Sequence, residues 1–137
     1  MTTRKLIAFV IVFALALGTS VTAMAAASKL TDIGDSWAKA DIEALVAKEV
    51  ILGYPDNTFR PNSTVSRGEF AKMLVTALGL KPEKGVSFDD TTGHWAAPYI
   101  NALTSRDIMT PDANGDFRPN DPITRAEMIT MMDRALN

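Results

Sequence analysis

Cysteine is absent and histidine occurs once, at His94. The first absence removes disulfides and thiolate chemistry, and the second removes a metal centre built on several imidazoles. A basic excess is also lacking: the 137 residues carry a net charge of −2. That balance argues against sequence-blind binding to nucleic acid, which needs a cationic surface. No low-complexity segment is evident. At the N-terminus, Arg4 and Lys5 precede the apolar run Leu6–Leu17, and small residues ending in Ala23-Met24-Ala25 come after it. As a helix the run covers about 18 Å, short of a hydrocarbon core of about 30 Å. Residues 1–25 are therefore expected to be a cleaved signal peptide that leaves no stable membrane span, with cleavage after Ala25 or, as the alternative, after Ala27. Losing Arg4 and Lys5 and no acidic residue takes the net charge from −2 to −4.

What is present, twice, is one sentence. "RPNSTVSRGEF" (Arg60–Phe70) returns as "RPNDPITRAEM" (Arg118–Met128). A single ungapped offset of 58 residues carries Asp32 to Asp90, Trp37 to Trp95, Ile42 to Ile100, Phe59-Arg60-Pro61-Asn62 to Phe117-Arg118-Pro119-Asn120, Arg67 to Arg125 and Glu69 to Glu127. Self-similarity at a fixed period marks a repeat architecture. The organisation is residues 26–79 as the first unit, 80–87 ("LKPEKGVS") as a Pro- and Gly-bearing linker, and 88–137 as the second unit.

Each unit reads helix, loop, helix, so the expected class is all-α. Trp37, Ile42, Leu45 and Val46 fall mostly on one helical face, and Tyr99, Ile100 and Leu103 do so in the second unit. The second helices start at Arg67 and Arg125. They carry Phe70, Leu74, Ala77 and Leu78 in one unit and Met128, Ile129, Met132 and Leu136 in the other. Gly79 stands where a left-handed C-terminal cap is expected. One helix pair cannot bury both faces alone, but stacked units can.

Ser66-Arg-Gly-Glu69 and Thr124-Arg-Ala-Glu127 both fit the capping box, in which hydroxyl and glutamate satisfy free backbone N–H groups at the helix start. Ser66, Glu69, Thr124 and Glu127 thus have a structural task. Arg67 and Arg125 do not follow from it, because the dipole disfavours a cation in the first turn. A solvated or ion-paired arginine is the plain reading. The repeated placement favours an anion site, since arginine beside free N–H groups suits a carboxylate or phosphate.

Both units resemble the S-layer homology motif. The resemblance rests on Asp32, Trp37, "GYPDNTFRP" and "SRGE" in the first unit, and on Asp90, Trp95, "TPDANGDFRP" and "TRAE" in the second. It implies a module that holds exported proteins on the bacterial cell wall by binding a secondary wall polysaccharide, often pyruvylated and hence anionic, in grooves between motifs. It also implies a pseudo-threefold trefoil of three motifs, of which this chain carries two. Carried onto this sequence, the ligand-binding candidates are Arg67 and Arg125, with Trp37, Trp95, Asp32 and Asp90. Departures are Gly68 in place of alanine and Pro111-Asp112 in place of the glycine-tyrosine pair.

Rival readings are weaker. Trp37 and Trp95 are first expected to anchor their helices in the core, with stacking on sugar as the alternative. "DANGD" (Asp112–Asp116) fails as a calcium loop, because Phe117 and Ile123 stand where glycine and glutamate are required. Acid pairs such as Asp89-Asp90 suggest a glycosidase only loosely, and no nucleophile stands out, so no catalytic residue, metal or cofactor is expected. A self-assembling envelope protein without glycan binding is the alternative function, with a homo-oligomer or other S-layer homology proteins as partners.

Overall fold

The structure, a computed structural model, describes residues 30–85 and 88–137; the signal-peptide reading lies outside them. It is all-α. Helix α1 spans Lys39–Ala47, α2 Arg67–Ala77, α3 Ala97–Thr104 and α4 Arg125–Leu136, with a 3-10 turn at Asp89–Thr91. Among the described residues there is no strand, only an isolated antiparallel bridge between Ser66 and Pro122.

The 58-residue register is visible in the backbone. Left-handed residues recur in pairs: Glu49 and Asp107 (φ 57° and 56°), Arg60 and Arg118 (φ 61° and 54°), and Asn57 and Gly115 (φ 60° and 87°). Glu49 and Asp107 close α1 and α3. The N–H groups of Val50 and Ile108 reach back to the carbonyls of Leu45 and Leu103, as a left-handed cap requires. Gly79 closes α2 in the same way, at φ 65°, with the Leu80 N–H on the Val75 carbonyl.

The helix pair in closest register is not within a unit but across them: α2 packs on α3. Ala71 and Val75 of α2 join Ile100, Ala102, Leu103, Met109 and Phe117 of the second unit in one buried cluster. Full burial of a side chain the size of valine contributes about 1.5 kcal/mol or more. The opposite side of α2 supplies Met73 to a smaller cluster of Leu30, Ile33, Ile42 and Ile51. The linker is fastened to α3 and to the turn after it: the Glu83 N–H donates to the Pro98 carbonyl at 2.9 Å, and Arg106, past the helix end, pairs with Glu83 at 2.6 Å.

Two expectations are corrected. Trp37 and Trp95 lie two residues ahead of α1 and α3, in turns, and are 95% and 52% exposed rather than in the core. The turns bond Lys39 and Ala97 back to Ser36 and His94, so each helix begins after its tryptophan. On α4, Met131 is buried, while Ile129, Met132 and Leu136 are exposed. The reason is positional: α2 has a following unit to pack on, and α4 has none among the described residues.

Candidate functional site

The "FRP" loops are held by the repeated aspartates. Asp32 accepts from the N–H groups of Phe59 and Arg60, both at 2.7 Å, and Asp90 does the same for Phe117 and Arg118. Two N–H bonds on one carboxylate offset the strain of a left-handed arginine. The bond from Phe59, with that from Arg60, also holds the Asp32 carboxyl below its ordinary value.

Both capping boxes are formed, Ser66 with Glu69 and Thr124 with Glu127. Past the caps, the two units differ. Arg67 is only 4% exposed. Its Nε donates to the Phe117 carbonyl at 2.7 Å, its Nη1 pairs with Glu127, and its guanidinium lies 4.9 Å from the centre of the Phe117 ring. The N–H groups of Arg67 and Gly68, the free donors of a helix start, reach the carbonyls of Asp121 (2.9 Å) and Pro119 (2.8 Å). Gly68 permits this approach: a Cβ there would stand 3.1 Å from the Pro119 oxygen and 3.0 Å from the Ala96 methyl. Burial raises the Glu127 carboxyl pKa, but the Thr124 N–H and hydroxyl and the Arg67 cation outweigh it, and the value falls below the ordinary one.

Arg125 and its backbone N–H have no partner among the described residues, and the side chain is exposed. The structure therefore separates the six sequence candidates. Arg67, Asp32 and Asp90 are engaged within the protein; Trp37, Trp95 and Arg125 face outward.

Between the units runs an open groove of about 380 Å³. Trp95 borders it from the second unit; Tyr54, Arg60, Glu69, Lys72 and Met73 border it from the first. The Tyr54 hydroxyl donates to Glu69 Oε1 at 3.1 Å, and burial followed by that carboxylate pushes the Tyr54 pKa up. Arg60 lies over the Tyr54 ring at 4.0 Å and pairs with Asp56 at 3.0 Å. The Thr58 hydroxyl and Arg60 bring the Asp56 pKa down to about 2. The Lys72 ammonium has no partner among the described residues. The exposed Trp95 ring and a free cation on one groove match the chemistry of an acidic sugar. Tyr54, Arg60 and Lys72 were not singled out from the sequence. The usable signal was Lys72 three residues after Glu69, on the same helical face; Thr130 replaces it in the second unit, so the repeat did not flag it.

His94 is tied into the fold, its Nε2 donating to Asn120 Oδ1 (3.1 Å) with Nδ1 accepting from the Ala96 N–H (3.1 Å). Asp112 Oδ1 accepts from the N–H groups of Asn114 and Asp116, closing "DANGD" as a turn.

Comparison with known proteins gives the same two units. The family model of the S-layer homology domain matches residues 29–71 and 87–129. The chain belongs to the S-layer homology domain family. It is 37% identical over 107 residues to an uncharacterized cell wall amidase of Bacillus anthracis, covering 77% of this chain and 20% of that protein. It is 33% identical over 136 residues to a cellulosome-anchoring protein of Acetivibrio thermocellus, covering 92% of this chain and 30% of that protein. An S-layer protein of Bacillus licheniformis is 29% identical over 137 residues, with 98% of this chain and 16% of that protein covered. The chain spans less than a third of the length of each of these relatives. Among its described residues, no helix is long and apolar enough to cross a membrane.

Proposed function

We propose that this S-layer homology chain is a non-catalytic anchor on the outside of a bacterial cell, binding an anionic secondary cell-wall polysaccharide in the groove between its units. The groove carries the reading: a half-exposed Trp95 ring to lie on a sugar face, and the Lys72 ammonium, with the stacked Arg60, to meet a carboxylate such as that of a ketal-linked pyruvate. Arg67 does not meet the ligand in this reading; its buried bonds to Phe117 and Glu127 set the distance between the two walls. The enzymatic activity in a relative's name is assigned to parts of that relative outside the matched share. The two units are read as part of a pseudo-threefold trefoil.

Titration with purified wall polysaccharide tests the site. Trp95→Ala and Lys72→Ala are each expected to weaken binding about tenfold or more, a loss of about 1.4 kcal/mol, with unchanged melting temperature. Wild-type affinity in both variants would place the polymer elsewhere.

Export belongs to the same reading. The mature chain begins at Ala26 or Ser28, and N-terminal sequencing of protein recovered from the envelope checks this. An intact Met1 would overturn it.

A further inference from the structure

Several contacts that join the two units have counterparts 58 residues away that are exposed or take no partner from the other unit; Glu69, the counterpart of Glu127, is held by Tyr54 and Ser66 of its own unit. The α2 face buried against the second unit is Arg67, Gly68, Ala71 and Val75. The same face of α4 is Arg125, Ala126, Ile129 and Asp133, all exposed, with Ile129 at 60%. On the receiving side, α2 is taken up by the carbonyls of Phe117, Pro119 and Asp121 and by the Glu127 carboxylate. Their counterparts are Phe59, Pro61, Ser63 and Glu69, and all four line the open groove on its first-unit side. The carbonyls of Phe59, Pro61 and Ser63 receive no hydrogen bond among the described residues. Ala102 and Leu103 of α3 are fully buried, whereas Ala44 and Leu45 of α1 are exposed, Leu45 at 39%.

We propose that the α4 edge of one copy docks into the first-unit edge of a second copy and repeats the internal interface, with Arg125 in the place of Arg67 and Glu69 in the place of Glu127. Charge complementarity and the filled internal example identify the occupant: the plug and the seat are both parts of this chain. Two substitutions make the new contact weaker than the internal one. Asp133 interrupts the apolar stripe where Val75 is buried, and Ala126 adds a methyl where Gly68 has none, so the edges must separate by a few tenths of an ångström. The association is therefore reversible and concentration-dependent. It is head-to-tail, so each pairwise contact leaves one plug and one seat free. The seat uses groove residues, so a docked copy and a wall polymer compete for it.

The test uses no polymer, so its failure is distinct from failure of the glycan reading. The mature chain, Arg125→Glu, Ser63→Trp and an equimolar mixture of the two variants are sedimented from about 1 μM to about 1 mM, the span of weak protein contacts. Arg125→Glu removes the plug, and a glutamate in the first turn suits the helix dipole; Ser63→Trp fills the seat at an exposed loop position. Circular dichroism establishes that both variants fold. The expected result is a wild-type mass that rises with concentration, association weakened more than about tenfold in each variant alone, and recovery of dimers in the mixture, where one variant supplies the seat and the other the plug. A wild-type monomer at every concentration would overturn the proposal. So would variants that associate as the wild type does, or a mixture that fails to associate.

Discussion

At the scale of single residues, surroundings decide what a repeated side chain does. Arg67 is buried between Phe117 and Glu127, so Arg67→Ala leaves the buried Phe117 carbonyl without its side-chain donor and takes the cation from Glu127, which keeps its bonds from Thr124. Such a loss costs about 2 kcal/mol. Arg125 touches nothing among the described residues, and Arg125→Ala is expected to stay within about 0.5 kcal/mol of wild type. Chemical denaturation of dilute protein measures both, and equal losses would mean that the two arginines share one structural role. The sequence placed both arginines at helix starts correctly and had no means of telling them apart. Their difference lies in Phe117 and Glu127, fifty and sixty positions away from Arg67. The tryptophans were legible as landmarks of the repeat, but not as exposed residues, because a large aromatic reads as core whenever the turn that ejects it is unseen.

At the scale of elements, local chemistry was readable and packing partners were not. The starts of α2 and α4 follow from Ser66 and Thr124, whose boxes need only four neighbouring residues. Thr124→Ala is expected to lower stability by about 1 kcal/mol through the lost cap, with polymer affinity retained; a drop in affinity without a drop in stability would reverse that division of roles. Gly79 as a left-handed cap was equally legible. The caps at Glu49 and Asp107 were not, since neither residue favours φ near 57°. Asp107→Gly removes that steric cost and is expected to raise stability by about 1 kcal/mol. An unchanged or lower melting temperature would show that the aspartate side chain is itself holding the turn. The pairing of α2 with α3 could not be read from periodicity, which gives the apolar face of a helix but not the helix that covers it.

At the scale of the whole molecule, the carboxylates set the response to pH. The Asp32, Asp56, Glu83, Asp112 and Glu127 carboxyls all lie below their ordinary values in the folded chain. Each contributes stability that is complete above the unfolded value of about 4 and is lost as pH falls through its folded one. Thermal melts are therefore expected to be level from pH 7 to about pH 5 and to drop steeply below about pH 4; a melting temperature constant down to pH 2 would mean that these bonds add nothing to folding. Acidification also protonates the carboxylate of the proposed ligand, so binding falls over the same range and cannot be separated from unfolding by pH alone. The direct measurement is made at neutral pH: affinity of the mature chain for purified wall polysaccharide, before and after its pyruvyl groups are removed. Binding that is saturable with the native polymer and lost on depyruvylation is the predicted result. Equal affinity for both polymers, or none for either, would contradict the assignment of this chain as an anchor to an anionic wall polysaccharide.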